Sequence, residues 1–186
     1  MTKRIRFLLP YFIFAVFAMA GCGNPFEPPP GGPPPPPPFQ YPDLSTPQNV
    51  ILNLKYAWEK RDSVRTRQLY DDAYEGVSTD VDGTVTFSKN QEVATVWAMG
   101  KSQNINRVEF TLRPETTWVR LSYPSDPAGY TAIQLQGVNI QVDDAVLGTQ
   151  LANSSNFFEF KFVPTLDAAS PTDTTWKIVH WTEIKN

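Results

Sequence analysis

Apolar residues recur every three or four positions from Pro47 to about Lys60, with Val50, Ile51, Leu54, Ala57 and Trp58 on one stripe. Ser45-Thr46-Pro47 supplies the start of that helix, a capping hydroxyl followed by a proline where the missing amide costs nothing. Asp62 can cap a second, shorter helix ending near Leu69, after which Asp71 and Asp72 break the period. Ser88 with Gln91 spells a capping box, which predicts a third helix to about Gly100 with Val93, Val96 and Trp97 as its apolar face. Between the second and third helices, 73–81 and 84–87 flank Asp82-Gly83, a pair that favours the positive φ of a tight hairpin turn. Asp80-x-Asp82-Gly83 has part of a calcium-loop pattern but lacks its third acidic ligand and closing Glu, so it reads as a turn.

Beyond Ser102 the period changes from helical to alternating. Val108, Phe110 and Leu112 point one way while Arg107, Glu109 and Thr111 point the other, the mark of a half-buried antiparallel strand. Val119, Leu121 and Tyr123 repeat it before the turn at 124–127. From Tyr130 to Val142 the apolar set changes parity at Gly137, which a glycine bulge in one bent strand would accommodate. Phe158, Phe160 and Phe162 form a further strand, and Trp176 to Ile184 the last. Three helices followed by successive antiparallel strands predict an α+β domain over 43–186, its helices packed on one face of a curved sheet.

The first 42 residues follow neither period. Lys3, Arg4 and Arg6 precede an apolar run from Phe7 to Ala20, shorter than the roughly 20 apolar residues a spanning helix needs and ending in small residues, as in a secretory signal over 1–21. From Cys22 to Pro42 the chain is dense in proline, including the unbroken run Pro33 to Pro38, and no core can form there. Such a stretch favours polyproline II at about 3.1 Å per residue and suits a spacer; docking to a proline-reading module is the other use of that helix. Met19-Ala20-Gly21-Cys22 resembles the lipobox of bacterial lipoproteins, with Met19 where Leu is usual. The resemblance implies diacylglycerol on the Cys22 thiol, cleavage before it, and attachment to the cell envelope. Gly23, in place of an Asp after the cysteine, implies the outer membrane if the cell has two. A plain signal peptide that leaves Cys22 unmodified is the alternative.

Composition narrows the function classes. The formal charge is −3, with 16 basic and 19 acidic residues; losing Lys3, Arg4 and Arg6 leaves 13 basic against 19 acidic, or −6. A mildly acidic domain gains nothing from counterion release on phosphates, so nucleic acid is not an expected partner. With one cysteine there is no internal disulfide, and the fold must rest on its apolar core. No G-x-S-x-G, glycine-rich phosphate loop or His/Cys metal cluster is present, and no cofactor is implied.

The paired helices, hairpin, third helix and closing strand Trp176-Lys-Ile-Val-His-Trp-Thr-Glu resemble the NTF2-like, or cystatin-like cone, superfamily. The resemblance implies a pocket between helices and sheet, for which Trp58, Trp97, Phe110 and His180 are the candidate residues. Some members use such a pocket as isomerases or dehydratases. Here His180 shares parity with Trp176 and Ile178 and would face it, with Asp143 or Asp144 to orient it. Trp118 and Trp181, on the other parity, suggest a sugar-stacking surface or the sheet-to-sheet homodimer common in this class. The leading expectation is an anchored, non-catalytic module that binds a ligand or envelope partner; a pocket enzyme and a carbohydrate-binding module are the alternatives.

Overall fold

A computed structural model describes residues 37–184 apart from 81, 113–117, 154–156 and 167–172. The signal segment, Cys22 and most of the proline-rich tether lie outside the described residues. The helices are α1 (Pro47–Glu59), α2 (Ser63–Leu69) and α3 (Lys89–Lys101). The strands are β1 (Tyr70–Asp80), β2 (Gly83–Ser88), β3 (Ile105–Leu112), β4 (Val119–Leu121), β5 (Thr131–Gln136), β6 (Val138–Asp144), β7 (Gly148–Asn153), β8 (Phe157–Leu166) and β9 (Thr174–Ile184).

The helix starts are those the sequence spells. Thr46 accepts from the Asn49 amide, Asp62 from that of Arg65, and Ser88 with Gln91 closes a reciprocal capping box. α1 buries the expected stripe, including Trp58, against β3 and β9, and α2 packs between α1 and α3.

The strands form two sheets where one was expected. A six-stranded sheet runs β2-β1-β9-β8-β5-β4 and a three-stranded sheet runs β3-β6-β7. The split falls at Gly137, whose φ of 67° is open to glycine at little cost. There the chain leaves β5 in the first sheet and enters β6 in the second, so the parity change is a corner between sheets and not a bulge within one strand. Ile133 and Leu135 before it, and Val138 and Ile140 after it, all remain in the core. The large sheet also departs from pure antiparallel order, since β1 and β9 pair in parallel. That pairing places the hairpin of β1 and β2 beside the closing strand, with α3 folding back over it.

The last residues of the tether are strapped to the domain. Asn53, fully buried in α1, donates to the Pro42 carbonyl at 2.9 Å and accepts from Arg65 at 2.6 and 2.9 Å. The Arg65 guanidinium lies 4.9 Å from the Tyr41 ring centre, and Tyr41 donates to Asp62 at 3.0 Å.

Candidate functional site

α3 faces the core differently from expectation. Its buried residues are Glu92, Val93, Val96 and Met99, while Trp97 is 56% exposed. The stripe in contact with the sheet is therefore Glu92-Val96-Met99, and Trp97 lies on the flank toward α2, beside Val64 and Arg67, with the Lys101 ammonium 6.0 Å from its ring.

Glu92 is only 9% exposed, and its Oε1 accepts from the Tyr74 hydroxyl at 3.3 Å. Gly76 makes this approach possible. A Cβ at that position would stand 2.6 Å from Tyr74 Oη and 3.4 Å from Glu92 Oε1, so a glycine strand position admits the hydroxyl where any other residue would crowd it. Burial pushes the Glu92 carboxyl up to about 7; the Tyr74 hydrogen bond opposes that rise and the negative charge of Glu183 adds to it. Burial also raises the hydroxyls of Tyr70 and Tyr74, whose rings pack 4.2 Å apart.

Beside Glu92 opens a cavity of about 160 Å³. Its walls come from six elements: Trp58 of α1, Ser78 of β1, Phe87 of β2, Glu92 and Thr95 of α3, Ile140 of β6, and Trp181 with Glu183 of β9. The Trp58 and Trp181 rings meet edge to face, 6.1 Å apart at 70°. Trp181 is held in turn by Phe160 at 5.1 Å and Phe158 at 5.5 Å, so the wall is rigid. The indole N–H of Trp181 is buried without a hydrogen-bond partner among the described residues, while that of Trp58 is directed to the buried Tyr70 hydroxyl. Among the described residues, no Lys, Arg or His lines the cavity. The site thus combines a carboxyl that titrates near neutrality, a second carboxylate and aromatic faces. Among the described residues no three of His, Cys, Asp and Glu converge as a metal site.

Of the four candidate pocket residues, the structure brings one to the cavity. Trp58 lines it, Phe110 is fully buried in the core and is not one of its walls, and Trp97 faces away. His180 is turned to the opposite face of the sheet. Opposite β8, Lys161 pairs with His180 and Phe162 with Ile178, which leaves Val179 as an extra residue. That bulge reverses the parity after Ile178, so Trp181 points into the core and His180 points out, beside Lys161 and Glu75. Asp143 binds Gln141 and Thr149 along its own sheet, and these bonds hold its carboxyl below the usual range. Trp118 is 37% exposed and Trp181 buried, so the two form no exposed row. Glu92 is the residue the sequence reading missed, although an acidic residue four before Val96 and seven before Met99 was a visible signal.

No protein-family model and no curated protein matches the chain. Solved structures do resemble it. A conserved protein from Planctomyces limnophilus is 12% identical, with 74% of this chain and 91% of that one covered at a TM-score of 0.53. A nuclear transport factor 2 (NTF2-like) superfamily protein from Salmonella enterica serovar Typhimurium is 15% identical, covering 72% and 83% at 0.47. A protein of unknown function with a cystatin-like fold from Nostoc punctiforme is 8% identical, covering 75% and 87% at 0.43. At such identities the likeness is one of backbone architecture and carries no activity with it.

Proposed function

We propose that this chain is a lipid-anchored protein of the bacterial cell envelope whose NTF2-like α+β domain binds a small ligand in the cavity between α1, α3 and the large sheet. The observation that supports binding is the cavity itself, where a buried carboxyl faces rigid aromatic walls. Small-molecule sites share that make-up of apolar lining with a few placed polar groups. Anchoring is supported by the lipobox-like Met19-Ala20-Gly21-Cys22 and by the proline-rich spacer after it. Two or more acyl chains would hold the protein firmly, since each buried methylene contributes about 0.8 kcal/mol.

Binding is tested by a thermal-shift screen of small ligands against the mature chain and against Ser78→Phe, which fills the cavity. Ligands that stabilise the wild-type chain should lose their effect in the variant; hits that persist would place the site elsewhere. For the anchor, Cys22→Ser should move the protein from the membrane to the soluble fraction, and unchanged retention would remove that part of the proposal.

A second reading, proton transfer within the cavity, is favoured by the position of Glu92, whose buried carboxyl lines the cavity. A carboxyl poised near pH 7 is a workable general base. That role would fall to Glu92 and not to His180, and Glu92→Gln would abolish turnover while His180→Ala would not.

A further inference from the structure

The composition of the cavity walls narrows the chemistry of its occupant. We infer that the cavity binds a small organic ammonium ion, held by the indoles of Trp58 and Trp181 and by the carboxylates of Glu92 and Glu183. This rests on the ligand-binding reading above.

Charge gives the first reason. Among the described residues, the carboxyls of Glu92 and Glu183 and no basic side chain line a partly enclosed space, a setting that favours a cation over an anion. Burial and the charge of Glu183 make ionisation of Glu92 costly in the empty site, and a cation between them would remove that repulsion.

Shape gives the second. The indoles of Trp58 and Trp181, set at 70° and 6.1 Å apart, line the cavity together with Phe87, and aromatic rings attract alkylammonium groups. An inorganic divalent ion is a poor match, because it needs six or more oxygen ligands and most of these walls are carbon. Size is compatible: an opening of about 160 Å³ has room for a trimethylammonium group. Such a group can come from a free solute or from a lipid headgroup.

The test is titration of the full mature chain in detergent with tetramethylammonium chloride, at ionic strength balanced with sodium chloride, read by tryptophan fluorescence and calorimetry. tert-Butanol serves as the neutral match. Saturable binding of the cation is expected, with tert-butanol at least tenfold weaker, affinity rising severalfold from pH 6 to pH 8, and Glu92→Gln at least tenfold weaker at pH 8. Equal binding of both compounds, or of tert-butanol alone, overturns the cation assignment and leaves the ligand-binding reading standing. Binding of neither overturns the assignment and removes support for that reading as well. Once cation binding is seen, the Cys22→Ser chain separates the sources: retention on phosphatidylcholine vesicles but not on phosphatidylglycerol vesicles assigns a headgroup, and retention on neither assigns a free solute.

Discussion

Tyr74 donates to Glu92 across 3.3 Å inside the protein, and the pair joins β1 to α3 at the edge of the cavity. Because the Glu92 carboxyl sits near 7 in the folded chain against 4.5 ordinarily, the unfolded chain releases its proton first as pH rises. Between these values the folded state binds more protons, so its stability falls with rising pH and levels off above about pH 7. The loss is about 3 kcal/mol at about 1.4 kcal/mol per pKa unit. Glu92→Gln, which keeps an acceptor for Tyr74 but carries no charge, should flatten this slope and be the more stable protein at pH 8 by about 1–3 kcal/mol. Urea denaturation at pH 5 and pH 8 measures it, and parallel wild-type and variant profiles would contradict it.

Gly76→Ala tests the contact from the other side. The new Cβ would crowd the Tyr74 hydroxyl, with an expected cost of about 1–3 kcal/mol from overpacking. Loss of the Tyr74 bond also removes the one interaction that lowers the Glu92 pKa, so its titration midpoint should rise. An unchanged midpoint would show that the hydroxyl does not act on the carboxyl.

The strap at the tether junction depends on Asn53. Asn53→Ala removes the donor to Pro42 and the acceptor for the Arg65 side chain inside the fold, at an expected cost of about 1–3 kcal/mol. Limited proteolysis should then cut near Tyr41 faster than in the wild-type chain, and equal cutting rates would argue against a strap.

The tryptophans should separate sharply by position. Trp58→Ala empties part of the core and should cost about 3–5 kcal/mol, whereas Trp97→Ala at an exposed flank should stay within about 1 kcal/mol. Thermal denaturation distinguishes them, and similar losses would mean that Trp97 packs into the core after all.

These contrasts show what the sequence could and could not convey. Helix starts were legible because caps are local: Thr46, Asp62 and Ser88 each bind an amide three residues ahead. Strand faces were legible while the two-residue period held, as at Phe158, Phe160 and Phe162. The reading failed where one residue altered the count. Val179 reverses the roles of His180 and Trp181, and only the pairing with β8 reveals it. Gly137 announced a change of parity, but whether the chain bulged or turned into a second sheet depended on partners far along the chain. The face of α3 departs from its apolar pattern because Glu92 is buried while Trp97, the larger apolar side chain, lies at an exposed flank. The opening above Gly76, where a side chain is absent, gives Glu92 its partner.

Carbon-detected NMR of the Glu92 side-chain carboxyl, titrated from pH 4 to pH 9 in the full chain with and without saturating tetramethylammonium chloride, addresses the site most directly. The expected midpoint is near 7 in the free protein and clearly lower with the cation bound. An ordinary midpoint near 4.5 that the cation leaves unmoved would contradict both the buried carboxyl and the binding site built around it.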